Sequence, residues 1–194
     1  MKRIAFFALL LFAAGAAAAV AAGKRTASPS AARCGGLTWR LKTFSDVQRR
    51  QVDVKPDVTT IDWIRQRSGP GRALTRRSTP FQMHTWEVPA QATRFKLDAN
   101  GSVRLELYDD NSYINAVIPS PACLSAKSRL RADILAARRI IENCGNPTSN
   151  WQSFGPIFFV RGVGYWGAKP TSRGTAPNGA ELHPVTGLRI VAGC

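Results

Sequence analysis

Apolar and polar residues alternate with a period of two through much of the second half of the chain, which predicts strands with one buried face. Residues 84–97 predict a long first strand with an irregularity associated with Pro89. Residues 98–101 follow as a turn, and Asn100-Gly101 accept the positive φ that a hairpin requires. Residues 102–108 alternate cleanly and put Val103, Leu105 and Leu107 on the core face. A second turn at Asp109-Asp-Asn leads into a third strand over 113–118, stopped by Pro119 and Pro121. The period then changes: Leu130, Ile134, Ala137 and Ile141 form one stripe of a helix within 125–143, with Lys127, Arg131 and Arg138 on another face. Asn143-Cys144-Gly145 and Pro147 end it. Residues 156–166, rich in β-branched and aromatic side chains, predict a buried strand. Residues 178–191 predict another, interrupted at Pro184, which has no amide to donate and so marks an edge or a bulge.

The order strand, strand, strand, helix, strand, strand over 81–194 predicts a mainly β domain with one principal helix, a five-stranded partly open barrel of the OB type. By analogy of fold alone, such barrels bind oligonucleotides or oligosaccharides on one face. Upstream, residues 34–80 predict an irregular basic extension packed on that domain. Within it, 37–43 alternates and predicts a short strand, and 57–64 has a cap-like start and predicts one or two helical turns. Residues 65–77 hold five arginines, no acid and a Gly-Pro-Gly bend, the mark of an exposed, solvated loop.

The chain begins Met1-Lys-Arg, continues apolar over 4–11 and ends this stretch Ala19-Val-Ala-Ala22. That sequence of parts predicts a signal peptide over 1–22, followed by a disordered leader over 23–33. Arg33 before Cys34 argues against a lipid anchor, and no transmembrane segment is expected in the mature chain, which is placed in the periplasm or outside the cell. The formal net charge is +15, with 27 basic and 12 acidic residues. Such an excess favours anionic partners or serves solubility alone.

Four cysteines in an exported chain predict two disulfides, for which three pairings exist. Cys123 and Cys144 flank the helix and are the expected local pair, leaving Cys34 to tie to Cys194. No Cys-x-x-Cys spacing and only two histidines argue against a zinc site, and no cofactor is expected.

Three stretches carry a resemblance: Cys34-Gly-Gly-Leu-Thr-Trp-Arg-Leu-Lys-Thr, Ile118-Pro-Ser-Pro-Ala-Cys123, and Gly162-Val-Gly-Tyr followed by Ala176-Pro-Asn-Gly-Ala-Glu-Leu-His-Pro-Val185. With them the chain resembles an uncharacterised family of small exported bacterial proteins. Members of that family carry an aspartate and a histidine where this chain has Asn100-Gly-Ser-Val-Arg104, and an Asp and a His-Gly where it reads Trp166-Gly-Ala-Lys-Pro. If those groups form a metal or catalytic site in the resembling proteins, this chain has lost part of it. The resemblance implies no activity.

Glu181 and His183 are the one carboxylate and imidazole that a specific motif brings together, two apart on one strand face. Either the glutamate orients the ring as base or ligand, or both hold backbone groups of the preceding loop and the Asn178 turn. Asp109 and Asp110 are adjacent and serve a turn better than a metal. No Gly-x-Ser-x-Gly, phosphate loop or His-Glu-x-x-His is present. Gly162 and Gly164 lie inside a strand and predict a bulge or tight curvature. Tyr108, Tyr113, Tyr165 and Trp166, with Arg104, Arg161, Lys169 and Arg173, are candidates for a stacking platform with cationic arms; core packing is the alternative for the aromatics. The reading favoured by these features is a noncatalytic, monomeric, exported domain that binds an anionic polymer, nucleic acid or acidic glycan. A metal-dependent hydrolase or nuclease using Glu181 and His183, and an envelope protein-interaction module, are the alternatives.

Overall fold

The computed structural model describes residues 34–168, 172 and 174–194; the segments expected over 1–22 and 23–33, and candidates Lys169 and Arg173, lie outside them. In chain order the elements are α1 (Trp39–Lys42), β1 (Asp53–Val58), α2 (Ile61–Arg65), β2 (His84–Leu97), β3 (Val103–Asp109), β4 (Ser112–Ile118), α3 (Arg131–Cys144), β5 (Gln152–Ser153), β6 (Ile157–Trp166) and β7 (Ala180–Ala192).

Strands β2, β3, β4, β7 and β6 are hydrogen-bonded in that order, and β6 returns to β2, which closes a five-stranded barrel. The β4–β7 pairing is parallel and the other four seams are antiparallel. With α3 inserted between the third and fourth barrel strands, this is an OB-like barrel. Two short turns build the first three strands: Gly101 at φ 78 closes β2 onto β3, and Asp110 and Asn111 at φ 40 and 60 close β3 onto β4. Val103, Leu105, Leu107, Ile114, Ala116 and Ile118 point inward and are fully buried.

α3 covers the barrel with Ile134, Ala137 and Ile141. It starts later than the apolar period predicts, at Arg131, because Ser125 turns the chain first: its hydroxyl accepts from Lys127 N at 3.1 Å and its carbonyl from Ser128 N at 3.0 Å. The β6–β7 register shifts on either side of Gly162, so Val185 opposes Gly162 and Leu182 opposes Gly164. Pro184 sits in this bulge on a strand flanked by β4 and β6, not at a sheet edge. A Cβ on Gly164 would lie 2.0 Å from the Phe81 carbonyl oxygen, so only glycine lets the turn Pro80–Met83 seat against β6.

The extension departs from its expected form. Residues 39–42 form α1 and not a strand: Lys42 N and Thr43 N bond back to the carbonyls of Thr38 and Trp39, and Leu41 is buried. The expected helical start at Asp57 belongs to β1, an edge strand parallel to β2 that accommodates Pro56. The helix begins at Thr60, whose hydroxyl caps Trp63 N at 3.1 Å. Phe44, Val52, Ile61 and Ile64 join the core cluster of the barrel. Arg77, at the end of the arginine-rich stretch expected to be exposed, is 2 % exposed. Its Nη2 lies 2.9 Å from Asp46 Oδ2, its Nε donates to the same carboxylate, and its remaining donors reach the carbonyls of Leu41 and Gln82.

The four cysteines are all paired, but as Cys34–Cys123 and Cys144–Cys194. The expected Cys123–Cys144 bond does not form, because the fold sets each beside another cysteine: the Cα of Cys123 lies 5.4 Å from that of Cys34, and the Cα of Cys144 lies 4.9 Å from that of Cys194. The antiparallel β6–β7 ladder, with Ile157 opposite Ala192, returns the chain end to Cys144. Two disulfides fit an oxidising compartment. Among the described residues no helix is long and apolar enough to cross a membrane.

Candidate binding cleft

Since Val103, Leu105 and Leu107 point into the barrel, Arg104 and Glu106 face the other way. The register sets Lys96 opposite Arg104, Arg94 opposite Glu106, Glu106 opposite Asn115, and Asn115 opposite Glu181. One patch therefore draws on four strands. Short strand β5 pairs with β2 and brings Trp151 over its edge. The result is a cleft of about 490 Å³ lined by Arg94, Lys96, Arg104, Asn115, Trp151 and Glu181, with Ser172 and Thr175 of the β6–β7 loop. Trp151 is 37 % exposed, and the Arg94 guanidinium and Lys96 ammonium lie 5.0 and 5.1 Å from its ring centre.

Every cation here has an acidic neighbour. Arg94 pairs with Glu106, whose Oε1 also accepts from Thr93 Oγ1 at 2.8 Å. Arg104 Nη2 lies 2.9 Å from Asp98 and its Nη1 3.8 Å from Glu181 Oε1, while Lys96 Nζ lies 3.4 Å from Asp98. The Glu106 hydrogen bond raises the Arg94 pKa above its ordinary value. Burial works against the charge on Arg104, but Glu181 and Asp98 outweigh it and raise its pKa. Burial likewise opposes the Glu181 carboxylate, yet His183 and Arg104 together hold it below the usual range.

Behind this floor lies His183. Its Nδ1 is 3.6 Å from Glu181 Oε2, its ring meets the Tyr165 ring edge-on at 5.5 Å, and its side chain is 4 % exposed. Neither ring nitrogen has a hydrogen-bond partner, and neither does Glu181 Oε2. Burial lowers the His183 pKa to about 4 despite the glutamate, so the ring is neutral at pH 7.

Of the residues singled out in the sequence, Arg104 and Glu181 line the cleft. Arg161 does not; it pairs with Glu87 at 3.1 Å across the β2–β6 seam. Tyr165 and Trp166 are 2 % and 1 % exposed, and Trp166 Nε1 donates to Thr79 Oγ1 at 2.8 Å, so both are interior residues rather than a stacking surface. Tyr108 and Tyr113 pair with each other at the far end of the β3–β4 hairpin. Asp110 is a turn residue, as its positive φ requires. The Asn178 turn is held by its own side chain, which accepts from Ala180 N and donates to the carbonyls of Ile64 and Arg67. Glu181 and His183 are not needed there. Among the described residues no group of three or more His, Cys, Asp or Glu is placed to hold a metal ion.

No protein-family model matches this chain, and no curated protein matches it significantly in sequence.

Arg94, Lys96, Asn115 and Trp151 were not singled out from the sequence. Arg94 and Lys96 flank buried Phe95 and so had to face outward. Trp151 stands alone among polar residues, a signal that lacked only the β5 pairing. A second cavity of about 270 Å³ lies between α2 and the barrel, walled by Trp63, Phe81, Trp86 and Trp166. The indole N–H groups of Trp86 and Trp166 are spent on Phe81 O and Thr79 Oγ1. It forms the apolar joint between extension and barrel.

Proposed function

We propose that this chain is an exported, noncatalytic binding domain that holds an anionic polymer in the cleft on the outer face of its barrel. The observation that carries the reading is the convergence of Arg94, Lys96 and Arg104 with the exposed ring of Trp151 in one open cleft. OB barrels use this strand face and the adjoining loops for extended polymers. The excess of basic over acidic residues, which removal of residues 1–22 with Lys2 and Arg3 leaves in place, favours encounter with a polyanion. Export is supported by the two disulfides and by the amino-terminal pattern of basic, apolar and small residues. The enclosure of both His183 nitrogens supports binding over hydrolysis, since a general base must reach the proton it takes. The resemblance to the exported family bears on the same place: Arg104 and Gly167, within the two stretches where the resembling proteins carry Asp and His, both lie against Glu181.

The test is binding of the oxidised protein to labelled oligogalacturonate and to a labelled single-stranded oligonucleotide across a salt series. Affinity that falls steadily with salt, with the polymer recovered intact, is the expected result. Metal-dependent shortening of the polymer would replace the reading with a hydrolytic one.

A further inference from the structure

The cleft is not a uniformly positive surface. Three cations line it, but Glu181 lines it with them, and Asp98 and Glu106 are paired into the same network. Asn115 adds an amide that can donate and accept. A DNA phosphodiester backbone is acceptor-only, so it gives Glu181 no proton to accept, whereas every unit of a sugar chain carries hydroxyl donors. Single-stranded nucleic acids are held by several exposed aromatic rings on which successive bases stack. This cleft exposes one, Trp151; Tyr165 and Trp166 are interior.

An acidic sugar has a partner for each of these groups: a carboxylate to accept from Arg104 and Lys96, hydroxyls to donate to Glu181 and to exchange hydrogen bonds with Asn115, and a C–H ring face to lay on the indole of Trp151. Fixed acceptors beside fixed donors reject a ligand that lacks either partner, because the unmatched group is left desolvated. We propose that the cleft recognises an acidic oligosaccharide of the uronic-acid type, through paired recognition of its ring carboxylate and its hydroxyls. The inference rests on the cleft being the polymer site and adds the ligand's class.

Glu181→Gln separates the two ligand classes. It keeps the shape, removes the negative charge and weakens a hydroxyl acceptor. Isothermal titration with oligogalacturonate, a neutral maltooligosaccharide and an oligothymidylate, on wild type, Glu181→Gln and Asn115→Ala, reads out the difference. For oligogalacturonate each variant is expected to lose about tenfold in affinity. For oligothymidylate, Glu181→Gln is expected to bind at least as well as wild type, since the ligand's backbone has no hydroxyl bond to Glu181 to lose and the repulsion that both polyanions meet there has gone. The neutral sugar is expected to bind weakest, lacking the carboxylate. Oligothymidylate binding tighter than oligogalacturonate in wild type overturns the sugar assignment while leaving the polyanion cleft standing. Absence of binding to both polyanions overturns the cleft itself. Asn115→Ala leaves the Glu181–His183 contact in place, so it decides the matter if Glu181→Gln fails to fold.

Discussion

Glu181 Oε2 lies 3.6 Å from His183 Nδ1, with the ionised carboxylate at the cleft and the neutral ring enclosed behind it. The pair divides a surface role from a buried one. Glu181 balances Arg104 in the cleft, while His183 fills the interior beside Tyr165.

Stability should therefore depend on pH through His183. Its folded pKa of about 4 lies below the ordinary value of 6.5, so the unfolded chain binds the proton more readily. Stability is fully present above 6.5 and is lost as pH falls from 6.5 towards 4, by about 3 kcal/mol over that interval. Below the ordinary carboxylate range Glu181, whose folded pKa is lowered, adds to the loss as it is protonated. Urea unfolding at pH 7.5 and 4.5 checks this; His183→Gln should flatten the dependence between those values.

The Arg77–Asp46 pair is buried, at 1 % and 8 % side-chain exposure. Removing one partner strands the other charge, so Asp46→Ala or Arg77→Ala should cost about 3–5 kcal/mol. The double variant should cost less than the sum of the two singles. Chemical denaturation of the three variants measures it, and independent, additive losses would mean the pair is not coupled.

The barrel was legible where periodicity alone decides. The sequence of β3 alternates apolar with polar residues, β2 does so apart from a register shift between Ala92 and Arg94, and turn residues with positive φ delimit the first three strands. Pro184 announced a break in β7, and the ladder has a bulge there. What escaped depends on contacts distant in sequence. Arg77 looks like a solvated charge until Asp46, 31 residues earlier, folds onto it. Trp151 reads as an isolated aromatic until β5 lays it on β2. Tyr165 and Trp166 sit at the end of a strand buried on both faces, where alternation no longer tells inside from outside. The cysteine pairing needed the position of the chain end, which only the β6–β7 ladder supplies.

Non-reducing peptide mapping should recover Cys34 with Cys123 and Cys144 with Cys194. The two bonds close loops of 89 and 50 residues in sequence separation. On the chain-entropy model each contributes about 4 kcal/mol, so Cys144→Ala with Cys194→Ala should lower the denaturation midpoint substantially. A Cys123–Cys144 peptide would contradict the register of β7.

The central claim is that binding belongs to the cleft and not to basic charge at large. The direct measurement compares oligogalacturonate affinity for wild type, Lys96→Ala with Trp151→Ala, and Arg161→Ala, which removes one positive charge from the β2–β6 seam. The account predicts a loss of tenfold or more for the cleft variant and near-wild-type affinity for Arg161→Ala. Equal, small losses in both would contradict it and reduce the interaction to nonspecific charge.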